Sequence, residues 1–328
     1  MPNPTPPSTE SELLRILRDA EHTYVSGEQI SKKLNVTRSA LWKHVSNLRQ
    51  SGYTINASTK RGYKFVSAPD LLLCDEIQAH LDTSFIGSQI LTYETIDSTN
   101  RAALQFGEQG LKEGLVICAE SQTKGRGRLG RAWASPKGKG IYLSILLRPK
   151  LEIREIAKIT LATAVTVCSA IAAETGVQAQ IRWPNDVLVG DKKLCGILTE
   201  ISAEADRVKH LVVGVGINVN STAEDLPPVG TSVHLVTGKA WNRARLAARF
   251  LNEFEKTYKA LQKGKFAEIV RDWESLSVLS GKNVVAKGLN GDIEGVAMGI
   301  DEEDGALWIR RDTGIQTKVL SGDIQFIR

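Results

Sequence analysis

Ser121-Gln122-Thr123-Lys124-Gly125-Arg126-Gly127-Arg128-Leu129-Gly130-Arg131-Ala132-Trp133 places four cations among three glycines. Leu115-Val116-Ile117-Cys118 precedes it and Ile141-Tyr142-Leu143-Ser144-Ile145-Leu146-Leu147 follows it. Both flanks are short apolar runs of the kind that form buried strands, so the basic segment reads as a loop hung from a sheet. Glycine lets backbone N–H groups approach a ligand, and arginine offers a planar fork of donors suited to carboxylates and phosphates. Alone, such a run also suits nucleic-acid contact or a solvated face. Its place between strands, rather than in a low-complexity tail, selects a ligand loop. So charged a loop is expected to be mobile when empty and to order around an anion.

At 328 residues the chain has room for two or three domains. Its 42% hydrophobic and 24% charged residues are those of an ordinary soluble protein. No unbroken apolar run approaches the roughly 18 residues of a membrane span. Residues 1–8 have no signal-peptide pattern and read as a disordered leader. Cys74, Cys118, Cys168 and Cys195 are widely spaced, which suits free thiols in a reducing cytoplasm. The histidines show no metal-ligand spacing. Residues 1–67 carry ten Lys/Arg against five Asp/Glu, which is the whole formal excess of +5. That asymmetry marks a separate module with a polyanionic partner.

In that module, residues 9–67, helical periodicity runs from Glu10 to Ala20, from Gly27 to Leu34 with Ser26 as N-cap, and from Arg38 to Gln50 after Thr37. Leu41, Val45 and Leu48 form the inner stripe of the third helix. Its other face carries Arg38, Ser39, Trp42, Lys43, Ser46, Asn47 and Arg49, and no acid. Two short strands follow, around Tyr53–Asn56 and Tyr63–Val66, joined by a turn holding Lys60 and Arg61. Three helices and a basic hairpin resemble a winged helix-turn-helix, whose third helix enters the major groove. The candidate DNA contacts are Arg38, Ser39, Trp42, Lys43 and Asn47 in the groove, with Lys60 and Arg61 on phosphates. A helical bundle that docks on protein is the competing interpretation. Residues 68–75, opening Ala68-Pro69-Asp70, read as a linker.

Three further segments lie with the basic loop in residues 76–275. Asp97-Ser98-Thr99-Asn100 ends a strand and opens a helix, where its groups can cap or bind ligand. Arg182-Trp183-Pro184-Asn185-Asp186 leads into a hairpin turning at Gly190-Asp191 and returning through Lys192-Lys193-Leu194. Gly214-Val215-Gly216-Ile217-Asn218-Val219-Asn220 pairs close-approach glycines with amides that can bind polar ligand groups. There is no G-x-x-x-x-G-K-[ST] and no complete G-x-G-x-x-G, so ATP would be held by another arrangement.

In this order the four segments resemble the biotin–protein ligases. With the winged helix in front, they look like the bifunctional bacterial ligase and biotin operon repressor. The resemblance covers nearly the whole chain. It implies a multidomain α+β protein: a winged helix-turn-helix, a central α/β ligase domain with a mixed sheet, and an SH3-like barrel at 276–328. It implies ATP-dependent formation of biotinyl-5′-AMP with Mg²⁺, then transfer to a lysine of a biotin carboxyl carrier protein. Operator repression and an adenylate-bound homodimer are the further implications. Ser98, Thr99, Asn100, Gln122, Arg126, Gly127, Arg128 and Lys193 would surround biotin. Gly125, Arg128, Arg131, Trp133, Asn185 and Asn218 would hold the nucleotide. Lys193, Arg126, Arg128 and Asp186 would serve catalysis, with Asp186 either orienting Mg²⁺ or helping to deprotonate the acceptor amine. Arg182 departs from the family's usual lysine.

The chemistry suits the residues without the family name. Joining a carboxylate to ATP brings two anions together, and unit charges about 4 Å apart repel by roughly 4 kcal/mol at a surface-like dielectric. Clustered cations offset that repulsion. A DNA-binding adenylate sensor without transfer activity, or a lipoate- or octanoate-type ligase, are the alternatives. The rest reads as scaffold: a glycine-terminated helix over Arg154–Gly176, an amphipathic helix over Arg243–Leu261, and short strands after Trp273.

Overall fold

The computed structural model describes residues 9–204, 207–288 and 291–327. The expected leader, residues 1–8, lies outside the described residues, as do Leu289 and Asn290, between two glycines that mark a turn in the sequence. The chain divides into two compact units, Met1–Leu71 and Leu72–Arg328.

The first unit has helices α1 (Thr9–Asp19), α2 (Gly27–Leu34) and α3 (Arg38–Gln50), then strands β1 (Thr54–Ser58) and β2 (Gly62–Ser67). Ser26 and Thr37 cap α2 and α3 through the N–H groups of Glu28 and Ala40. Asn35 ends α2 in the left-handed region, where a short polar side chain is tolerated. Leu13, Leu14, Leu17, Ile30, Leu41, Val45, Leu48 and Ile55 form the core. Val25 and Tyr63 exchange backbone hydrogen bonds of 2.8 and 2.9 Å, which ties the hairpin to the segment before α2.

The second unit begins with α4 (Cys74–Gln78), β3 (Gln89–Ile96), α5 (Thr99–Glu108), β4 (Leu115–Gln122) and β5 (Gly140–Leu147). It continues through α6 (Ile156–Thr175), β6 (Gln180–Arg182), β7 (Asp186–Val189), β8 (Lys192–Glu204) and β9 (Arg207–Asn218). Helices α7 (Val233–Thr237), α8 (Arg243–Gln262) and α9 (Phe266–Leu276) follow. Strands β3 to β9 form one sheet in the order β3-β4-β5-β9-β8-β7-β6. Only β3 and β4 run parallel, so the sheet is mixed.

Helix α6 is apolar almost all round, because it packs against α8, α9 and the sheet. Ile153–Thr175 is long and apolar enough to cross a membrane by length and composition, yet ten α6 side chains are buried inside the fold. At the start of α8 the buried Arg243 pairs with Glu120 of β4 at 2.9 Å. Glu120 also accepts from the N–H of Leu72. A buried charge is tolerated only when so paired.

The last strands are β10 (Asn283–Gly288), β11 (Gly291–Ile300), β12 (Leu307–Arg310), β13 (Gln316–Val319) and β14 (Asp323–Phe326). They form an antiparallel sheet in the order β13-β12-β11-β10-β14. Val284, Ala297, Leu307, Ile309 and Ile324 join the same apolar core as Ile181, Trp183 and Ile197. The small sheet is thereby locked to the large one, and its strand ends take fixed places near the loops of β4 and β7.

Candidate active site

A cavity of about 700 Å³ opens where the β4–β5 loop, the β6–β7 turn, β8 and β9 meet. That lies within the usual range for small-molecule sites. Its lining includes every candidate ligand residue of the second unit named above: Ser98, Thr99, Asn100, Gln122, Gly125, Arg126, Gly127, Arg128, Arg131, Trp133, Asn185, Asp186, Lys193 and Asn218. Residues more than a hundred positions apart in sequence thus share one concave surface.

One wall is a buried polar shelf at the start of α5. Ser98 caps that helix through the N–H of Arg101. Gln122 Oε1 accepts from the Thr99 N–H at 2.9 Å, and its amide donates to Ser135 Oγ at 3.0 Å. Asn100 donates to Leu198 O and Glu200 Oε2, and accepts from Ser144 Oγ at 2.6 Å. The orientations of the Gln122 and Asn100 amides are therefore set by the network around them.

Gly214 and Gly216 differ in use from expectation. Their missing side chains make room for the protein itself rather than for ligand. A Cβ at Gly214 would collide with the Asn100 amide, and one at Gly216 would lie 2.5 Å from Trp133 Nε1. Gly196, the cross-strand partner of Gly216, lies under the same indole. Trp133 is thus seated on a glycine floor, and its buried Nε1 has no hydrogen-bond partner among the described residues. A buried donor without a partner points to a ligand group. The expected ligand amides are likewise engaged. Asn218 donates to Thr231 O at 3.0 Å, and Asn220 exchanges bonds with the backbone of Trp241.

The basic loop is laced rather than loose. Gly127 N–H donates to Arg131 O at 2.7 Å and Trp133 N–H to Gly125 O at 2.9 Å, making a tight hairpin. Its tip includes Leu129 in the left-handed region (φ 55°) and buries no residue. The reason lies in carboxylates supplied from elsewhere. Arg126 pairs with Glu200 at 3.0 Å. Arg131 is bonded to Asp323, and Arg128 donates to Asn185 Oδ1 and Gly322 O, each at 3.2 Å. Burial pushes the Arg128 guanidinium below its ordinary pKa, while Asp323 and Asp186 act the other way.

Across the cavity Lys193 Nζ lies 2.5 Å from Asp186 Oδ1 and 5.4 Å from the centroid of the Trp133 ring. Arg182 holds Asp186 Oδ2 at 2.8 Å. Arg182 therefore acts on the site through Asp186, which carries a cation on each oxygen. Both Asp186 oxygens are so paired, and no group of three His, Cys, Asp or Glu side chains that could hold a metal occurs among the described residues. A Mg²⁺ held by Asp186 would take its other ligands from phosphate oxygens and water.

In the first unit, Arg38, Ser39, Trp42 and Lys43 share the outer face of α3, with Trp42 63% exposed. Arg38 pairs with Glu28 at 3.1 Å. Asn47 turns away from the others, donating to Glu10 on α1 at 2.9 Å. Arg49 is bonded to Ile55 O. Lys60 is exposed at the wing turn, and Arg61 stacks 4.3 Å over Tyr24.

The pattern of the Biotin/lipoate A/B protein ligase family matches residues 92–218. An HTH domain matches 9–64, and the Biotin protein ligase C terminal domain matches 279–327. Over 96% of its length the chain is 37% identical to the bifunctional ligase/repressor BirA of Bacillus spizizenii, of which it covers 97%. The chain belongs to the biotin protein ligases of the bifunctional ligase/repressor type. The family's Escherichia coli member is 32% identical over 95% of each chain. The biotin protein ligase of Aquifex aeolicus, solved with biotin and ATP, superposes with a TM-score of 0.63 at 30% identity. It spans 73% of this chain and 99% of that one.

Ser135 and Asp323 of this ligase/repressor's cavity, with Ser144 and Glu200 outside its lining, went unnoticed in the sequence. Each completes the bonding of a residue that was noticed. Isolated serines and carboxylates in ordinary strands carry no local signal.

Proposed function

We propose that the cavity joins biotin to ATP, forming biotinyl-5′-AMP and releasing pyrophosphate, and then passes biotin to a lysine of a biotin carboxyl carrier protein. The observation that carries this is the convergence of Arg126, Arg128, Arg131 and Lys193 on one cavity opposite a buried shelf of hydroxyls and amides. The shelf of Ser98, Thr99, Asn100 and Gln122 suits a neutral polar ring system. The cations suit a carboxylate and phosphates.

In the first step a biotin carboxylate oxygen bonds to the α-phosphorus as the bond to pyrophosphate breaks. Lys193 and Arg128 offset the negative charge shared between these groups, and Arg126 and Arg131 cover it from the hairpin. Asp186, held by Arg182, keeps Lys193 aimed into the cavity. Trp133 presents a flat face to the adenine. Mg²⁺ enters as part of the nucleotide substrate, screening the phosphates.

In the second step the acceptor amine attacks the mixed anhydride and AMP leaves. The hairpin limits loss of that anhydride to water until the acceptor arrives. The first unit binds operator DNA through Arg38, Ser39, Trp42 and Lys43, with Lys60 and Arg61 on phosphates. Asn47 serves that surface by fixing α3 to α1. Adenylate binding promotes a homodimer, so that two winged helices meet a two-fold site. Four free cysteines suit a cytoplasmic protein.

Incubation with labelled biotin, MgATP and a carrier domain tests the enzyme, with free adenylate and tagged lysine measured separately. Adenylate without tagged lysine would make the protein a sensor only, and acceptance of lipoate or octanoate instead would reassign the acid. A sedimentation profile unchanged by biotin and MgATP would refute the dimer.

A further inference from the structure

The arginine hairpin buries no residue at its tip, so side-chain bonds to other parts of the fold hold it in place. Asp323 stands out among them. It is the first residue of β14, paired in register with Lys287 of β10, on a sheet that shares the core of the second unit. Its carboxylate bonds Arg131 and lies 3.8 Å from Arg128, while the adjacent Gly322 carbonyl accepts from Arg128 at 3.2 Å. Asp323 also lines the cavity. A rigid strand end therefore presents one anion to two cations of a tip that is otherwise held by the Arg128–Asn185 bond.

We propose that Asp323 is a positioning residue, a latch by which the C-terminal sheet holds the arginine hairpin over the reactive adenylate. This rests on the function proposed above. Asp323 acts through Arg128 and Arg131 and takes no part in bond making. Its removal leaves Lys193, Asp186, Trp133 and the polar shelf in place, so adenylate still forms. The weakened tip then opens more often, and adenylate escapes before an acceptor lysine arrives.

The test uses the full chain with labelled biotin and MgATP, with and without a carrier domain. It reads pyrophosphate release, free adenylate in solution and tagged lysine. For D323N the ratio of free adenylate to tagged lysine rises about three- to tenfold, while pyrophosphate release in the first turnover stays within about twofold. D323E restores the ratio. R131A raises it as D323N does, and D323N with R131A raises it no further, because both remove one interaction. A D323N ratio equal to that of the unchanged protein overturns the latch alone. So does tighter ATP binding with no added leak, which would make Asp323 a competitor of the phosphates. A D323N chain that melts normally yet makes no adenylate overturns it in favour of a direct part in the first step. If the unchanged protein makes no adenylate, the function proposed above falls and the latch falls with it.

Discussion

In the cavity Arg126, Arg128, Arg131 and Lys193 each face a carboxylate of the chain itself, in Glu200, Asp323 or Asp186. On α3 and the wing, Lys43 and Lys60 are exposed and pair with no carboxylate among the described residues. The same residue types are thus used in two ways. Pairing inside a concave site holds a cation at a fixed position, facing the cavity. An unpaired cation on a convex face keeps its counterions loose, and a polyanion gains by releasing them. Position within the fold, more than the company of acids, separates a cavity cation from a docking one, since Arg38 on α3 also pairs with an acid, Glu28.

That contrast breaks most sharply at Lys193. Lys193→Ala should slow adenylate formation by about 10²–10³-fold, as for other removed charge-stabilising donors. Pyrophosphate release measures it, and binding of the same variant to a single operator half-site, without biotin or ATP, should be unchanged. Normal release would remove the amine from the chemistry.

The second expected effect is on stability, at a carboxylate of the second unit that joins α8 to the segment before β3. Glu255 accepts from the backbone N–H groups of Ser84, Phe85 and Ile86 and from Lys259. Burial pushes its pKa up, but these hydrogen bonds outweigh it and hold the value at about 2, below the ordinary 4.5. A depressed carboxyl stabilises the fold fully above about pH 4.5 and loses that contribution as pH falls toward 2. Glu255→Gln should cost roughly 1–3 kcal/mol at neutral pH and flatten the acid limb of the melting curve of the second unit. An acid limb as steep as before would assign it to other groups.

A smaller change tests the glycine floor. Gly214→Ala drives a methyl into the Asn100 amide and should raise KM for biotin about tenfold, with operator affinity untouched. An unaltered KM would mean that Asn100 is free to move. The smallest effects belong to the convex face. Lys60→Ala should lower the slope of log affinity against log salt by about one, across operator and non-operator DNA alike, whereas Lys43→Ala should weaken operator binding more than non-operator binding. Adenylate formation should not respond to either.

Much of this arrangement was legible before the fold was known. Ser26, Thr37 and Ser98 announce helix starts, and each caps one. Gly176, after the apolar run from Ile156, ends α6 in the left-handed region. The Gly-Arg loop between two apolar strands marks the cavity, and the family resemblance, not the hairpin by itself, picks out Lys193. One expectation needed revision, and one set of bonds lay beyond the reach of any motif. The partners of the basic loop, Glu200 and Asp323, stand 74 and 192 residues away from the arginines they hold. The close-approach glycines Gly214 and Gly216 accommodate Asn100 and Trp133, which no spacing could have linked to them.

Residue order alone determined where helices and strands begin, which module is basic, and which loops carry cations, because caps, periodicity and backbone freedom act over a few neighbouring residues. The tertiary structure alone decided which acid neutralises which base, which glycine seats which side chain, and that a strand end of the small sheet reaches the arginine hairpin. Those contacts join residues distant in the chain, and their energies depend on separation and burial in space.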